Sequence, residues 1–110
     1  MDISDVPFRV TDWSALPETS QPGASGSVSQ RRFEQGNIRV RMVRYSPGYL
    51  ADHWCERGHV LLVLDGELTT ELADGSLHVL RAGMSYQVAD GAAPHRSRTG
   101  ASGATLFIVD

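Results

Sequence analysis

Residues 51 to 60 read Ala-Asp-His-Trp-Cys-Glu-Arg-Gly-His-Val and gather two of the chain's four histidines and its only cysteine within seven positions. Imidazole nitrogen and thiolate sulfur are donors for divalent transition metals, and a mononuclear site needs three or four of them from a rigid scaffold. If residues 53 to 55 are extended, His53 and Cys55 point the same way. Arg57-Gly58 offers a bend, after which His59 keeps that parity as it enters the apolar run Val60-Leu61-Leu62-Val63-Leu64. A fourth donor, His95, follows the turn-like Gly91-Ala92-Ala93-Pro94 and begins another expected strand, which barrel closure would bring back across the interior. The set is not a zinc finger, since there is no Cys-x-x-Cys. A histidine in a strand is more often ordinary packing, and a lone cysteine usually behaves as a small buried hydrophobe. His78 lacks donor neighbours and is read as structural; Trp54 and Tyr86 are read as packing, and Arg44 as surface.

The elements that must position these donors are short. Gly36-Asn37, Pro47-Gly48, Arg57-Gly58, Asp65-Gly66, Asp74-Gly75, Ala82-Gly83 and Asp90-Gly91 divide the chain into strand-length pieces, a spacing that predicts an all-β sandwich or barrel. Asp-Gly accepts the positive φ angles of tight hairpins, so residues 59–64, 67–73 and 76–82 are expected to form a three-stranded meander. In residues 38–45, Ile38, Val40 and Met42 oppose Arg39, Arg41 and Val43, so the arginine face reads as the wet one. Residues 60–64 show no alternation and read as a central strand covered on both faces, while residues 104–109 read as a buried last strand. Residues 9–13 read as a short strand, and residues 14–27, rich in Ser, Thr, Pro and Gly, as a long loop or arm.

A chain of 110 residues with 41% hydrophobic residues has room for one core. Its formal net charge of -3 gives no footprint for nucleic acid or an anionic membrane, and all ten basic residues are arginine. No apolar stretch approaches a membrane span, and the acidic start Met1-Asp2-Ile3-Ser4-Asp5 does not resemble a signal peptide. One cysteine cannot close an intramolecular disulfide. The expected location is therefore the cytoplasm.

Two motifs resemble those of the cupin superfamily. In the first, Gly48 is followed after four residues by His53-Trp54-Cys55, then after three by His59 and after six more by Gly66. Cys55 stands where the family has a second histidine, and His59 where it has a glutamate. In the second, Gly83 is followed after five residues by Ala89, then Asp90-Gly91 and, after three more, His95, with Thr99 at the family's asparagine position. His95 thus matches the family's third histidine. The quartet Asp52-His53-Trp54-Cys55 also looks like the subgroup of small cupins labelled by a motif of Asp, His, Cys and Trp.

The resemblance implies a double-stranded β-helix, the cupin jelly roll, as one domain over residues 1–110. An N-terminal strand and arm would occupy 1–27, and a barrel carrying both motifs 37–110. It implies one divalent transition metal per chain, zinc, iron or nickel, held by His53, Cys55, His59 and His95, and a small molecule as ligand or substrate. An open site would serve a mononuclear oxygenase or isomerase. A shell closed by all four donors would make a non-catalytic binding or sensing module. A barrel whose polar cluster holds no metal is the plainest alternative. The resemblance also points to a homodimer, with residues 1 to 35 covering the partner, because open jelly-roll sheets expose edges.

Overall fold

The computed structural model describes residues 2–110. Its elements are a 3-10 turn, Trp13–Ala15, and seven strands: β1, Thr19–Pro22; β2, Ser27–Gln35; β3, Ile38–Tyr45; β4, His59–Leu72; β5, Leu77–Arg81; β6, Ser85–Val88; and β7, His95–Val109. The strands pair antiparallel in the order β1-β2-β3-β7-β4-β5, with β6 beside β4. The all-β expectation therefore holds. No helix among the described residues is long and apolar enough to cross a membrane.

The two longest strands build both halves of the fold. The first half of β4 lies between β6 and the last third of β7, and its second half lies between β5 and the first third of β7. Between the halves the β4–β7 register shifts twice, from Val63 to Asp65 and from Gly66 to Leu68. Asp65-Gly66 is thus a bulge inside one strand rather than the hairpin expected. Gly66 has φ +77°, and a Cβ there would lie 2.3 Å from the Gly103 carbonyl oxygen. Glycine lets both long strands bend together, as bulged strands do when a sheet folds over on itself. Asp74-Gly75 does make a hairpin, joining β4 to β5.

Parity places the core. Val43 of β3, Leu61, Val63 and Leu68 of β4, Leu80 of β5, and Ala104, Leu106 and Ile108 of β7 form one buried cluster. The run Val60–Leu64 is central in the sheet but is not covered on both faces. Leu61 and Val63 are buried, whereas Val60 and Leu64 are 42% and 43% exposed. The arginine face of β3 is the interior one, opposite to the sequence expectation. Val43 shares it, and Arg39 and Arg41 find a buried carboxylate there. Charge alone marked that face as wet, but pairing offsets the cost of burying a guanidinium.

The N-terminal quarter also differs from expectation. Residues 9–13 form no strand, Trp13 opening the 3-10 turn instead, and the expected loop contains β1, paired with β2 from Thr19↔Gln30 to Pro22↔Ser27. Arg31 fixes the preceding turn through Nη1 to the Leu16 carbonyl, and Trp13 meets Phe107 edge to face at 6.4 Å.

Candidate metal centre

Cys55 and His95 face each other across an antiparallel bridge. The Cys55 amide donates to the His95 carbonyl at 2.8 Å, and the His95 amide donates to the Cys55 carbonyl at 2.9 Å. Residues that exchange both bonds in this way project side chains to the same face. The strap carrying Cys55 is tied along the edge of β7 by Ala51 donating to Ser97 and Thr99 donating to Tyr49. Its other end is pinned near the turn before His95. The Gly58 amide donates to Asp90 Oδ1 at 2.6 Å, and the Gly91 amide donates to the Glu56 carbonyl. Only glycine fits at 58, where a Cβ would lie 2.6 Å from the Asp90 nitrogen. His59 then opens β4, and its ring lies 4.8 Å from that of His95, nearly perpendicular to it.

One donor atom from each of Cys55, His59 and His95 lies within 4.8 Å of the other two. Modest closure brings such a set to bonding distances of about 2.0 Å for nitrogen and 2.3 Å for sulfur. His95 is 3% exposed, and its Nδ1 lies 2.7 Å from the Ala93 carbonyl oxygen. A carbonyl only accepts, so Nδ1 carries the proton and Nε2 presents a lone pair. That Nε2 is buried and has no partner. Burial holds His95 below its ordinary pKa, against the Ala93 bond and together with nearby His59, so the ring is the neutral form a metal requires.

His59 is oriented from behind. Its Nδ1 lies 3.7 Å from Asp110 Oδ2, and its Nε2 lies 2.9 Å from the Tyr86 hydroxyl. The carboxylate favours the proton on Nδ1, although at 3.7 Å that nitrogen has no hydrogen-bond partner, and the Nε2 lone pair then accepts from the Tyr86 hydroxyl, which must turn away for Nε2 to take a metal. Burial raises the Tyr86 pKa, keeping it a neutral phenol. Burial alone would raise Asp110 as well, but the His59 ring beside it, the hydrogen bonds from Arg39 and the charge of Arg41 hold it well below the usual carboxylate range. Of these two partners, only Tyr86 is named by the sequence reading; Asp110 is not. Positions 104, 106, 108 and 110 share the buried parity of β7, and that is the signal for Asp110. Tyr86, read as packing, pairs with Leu61 across β4 and β6 and so faces inward.

His53 stands apart from the other three donors. Its side chain is 77% exposed, with Nδ1 2.6 Å from Asp52 Oδ1. Parity is shared only along an extended strand, whereas residues 52 and 53 form a bend and only Cys55 makes a bridge, so His53 lies at the rim. Trp54 is half-exposed, with the Arg96 guanidinium over its ring at 4.7 Å. His78 lies outside the donor set beside the Ser76 hydroxyl. Arg44 is at the surface near Glu18. A cavity of about 280 Å³ adjoins the donor set, with Arg41, Tyr45, Tyr49 and Tyr86 among its walls.

No protein-family model and no curated protein matches this chain. Solved structures do. A sugar phosphate isomerase from the cupin superfamily of Silicibacter pomeroyi superposes with a TM-score of 0.71 at 19% identity, covering 92% of this chain and 74% of that one. An RmlC-like cupin from Shewanella frigidimarina gives 0.71 at 18% identity, covering 94% and 89%. Fe(II)-HppE with an alternative substrate gives 0.76 at 14% identity, covering 94% of this chain and 60% of that longer one. The antiparallel order, the bend shared by β4 and β7 and these superpositions together identify the fold of this chain as the cupin jelly roll.

Proposed function

We propose that this chain is a small one-domain cupin that holds one divalent transition metal on Cys55, His59 and His95 and acts on, or binds, a small molecule in the adjoining cavity. The observation that carries this reading is the buried, unpartnered Nε2 of His95, aimed at two further donors. A lone pair so placed costs free energy unless something accepts it. Two imidazoles and a thiolate suit zinc, iron or nickel. When bound, the ion would supply Lewis acidity or, as iron, oxygen chemistry, the class that fits an oxygenase or isomerase. The residues around it have separable tasks: Asp110 biases the His59 proton to Nδ1, Ala93 fixes the His95 tautomer, and Tyr86 occupies the His59 Nε2 lone pair until a metal takes its place.

Three donors leave a position free, which favours the open site. The second reading, a closed binding or sensing module, needs His53 to leave Asp52 and turn inward as the fourth ligand. Element-specific mass spectrometry on protein purified without chelator separates them. Wild-type protein is expected to carry one equivalent of metal, and His95→Ala much less while remaining folded. His53→Ala keeps the metal if the site is open and loses it if closed. Full occupancy in His95→Ala overturns both readings. At a hundred times its dissociation constant the metal should add about 2.7 kcal/mol of stability.

We also infer a homodimer, and membership of the Asp-His-Cys-Trp subgroup on the quartet at 52–55. Exposed Val60 and Leu64 on the outer face of β4, with Phe8 and Val10 exposed in the N-terminal arm, support an interface that residues 1 to 35 help to form. Light scattering at micromolar concentration should return twice the chain mass of 12.0 kDa, and a monomer would end that idea. A cytoplasmic setting would keep Cys55 reduced and available as a ligand.

A further inference from the structure

Three arginines converge on Asp110, and one of them is not fully used. Arg39 makes a two-pronged contact, Nε to Oδ1 at 2.8 Å and Nη2 to Oδ2 at 3.0 Å. Arg41 donates Nη2 to the same Oδ2 at 2.9 Å, and Arg57 Nη1 stands 3.9 Å from Oδ1. One carboxylate cannot neutralise three guanidinium groups. Arg96, on the same cavity's wall, gives both Nε and Nη2 to Glu71 and is spent. Arg41 differs: its Nε is buried and without a partner, on a side chain that lines the cavity next to His59.

A buried N–H without an acceptor is unfavourable, more so on a cation, and is completed by a water, an ion or a ligand. The cavity's acid, Asp52, lies exposed at the rim and is paired with His53, so it adds no counter-charge to the Asp110 carboxylate that Arg41 shares with Arg39. Tyr45 and Tyr49, stacked at 4.4 Å, and Leu61 and Ile108 supply apolar wall. At about 30 Å³ of liquid volume per water, the cavity has room for on the order of ten heavy atoms.

We infer that the small molecule taken by this cavity carries a carboxylate, which pairs with the incompletely used Arg41 guanidinium while the remainder of the molecule reaches toward Cys55, His59 and His95. The inference names the ligand class of the proposed metal site and rests on that reading for its second half; the anion anchor itself needs no metal.

Propionate and its uncharged amide, propionamide, are suitable probes, with binding followed by ligand-observed NMR in metal-loaded and chelator-treated protein. Propionate should bind saturably in both forms, and propionamide about tenfold more weakly or not at all. Arg41→Met should weaken propionate by about tenfold or more without lowering metal content. Arg41→Lys, which keeps the charge without the planar donor, should fall between and carries the test if Arg41→Met does not fold. Equal binding of the two probes, undiminished propionate binding in the folded variants, or propionate binding only in the metal-loaded form overturns the inference, including the case of a water completing Arg41. If wild-type protein takes no metal yet binds propionate through Arg41, the metal reading falls and the anion anchor stands. With full metal occupancy and no discrimination between the probes, the metal site stands and the anion anchor falls.

Discussion

Asp110→Ala is expected to lower stability by about 3 kcal/mol, the lower end of the range for removing one partner of a buried ion pair. The carboxylate is 1% exposed and accepts from Arg39 and Arg41, so its loss strands two guanidinium groups inside the barrel. The arginine side chains keep 21% and 17% exposure, which lets them reach water in part and limits the loss. Asp110→Asn keeps the shape and one acceptor and should recover some of it. Denaturant unfolding with an unchanged m-value reads the difference. A loss under about 0.5 kcal/mol, the size of an ordinary surface substitution, would show that the cluster is not a buried network.

The pH dependence has a definite sign. The folded-state pKa of Asp110 is depressed, so its contribution is present above the ordinary carboxylate pKa of 3.8 and is lost as pH falls below it. The stability gap between wild type and Asp110→Asn should therefore be constant near neutrality and shrink from about pH 4 downward. A gap that widened on acidification would contradict the assignment.

Leu106→Ala should cost about 2–5 kcal/mol, in the upper half of that range. Leu106 is 0% exposed and sits in register between Val43 of β3 and Val63 of β4. Its neighbours belong to strands tied on both sides, so the cavity left behind cannot collapse. Val79→Ala, on β5 and 49% exposed, should change stability by only about 0.5 kcal/mol. Similar losses in the two variants, measured by the same unfolding experiment, would mean that the site around Leu106 collapses after all.

Local chemistry in the chain determined much of this. Turn residues at strand-length intervals fixed the all-β class, because glycine and Asx positions punctuate a backbone whatever packs on it. His59 and His95 were legible as partners, since each begins a strand after a turn. The apolar run of residues 104–109 announced a buried strand, and the alternation of its buried positions in the structure, continued one step further, reaches Asp110. What only the tertiary structure decided lies between elements. Asp65-Gly66 has the composition of a hairpin turn, and it became a bulge because Gly66 packs against the Gly103 carbonyl of a strand almost forty residues away. Arg39 and Arg41 looked solvated because no single strand reveals a carboxylate arriving from another, yet a buried counter-charge turned their face inward. His53 and Cys55 looked equivalent by parity. The reciprocal bonds between Cys55 and His95 carried the cysteine inside, while the bend at Asp52 left the histidine at the rim.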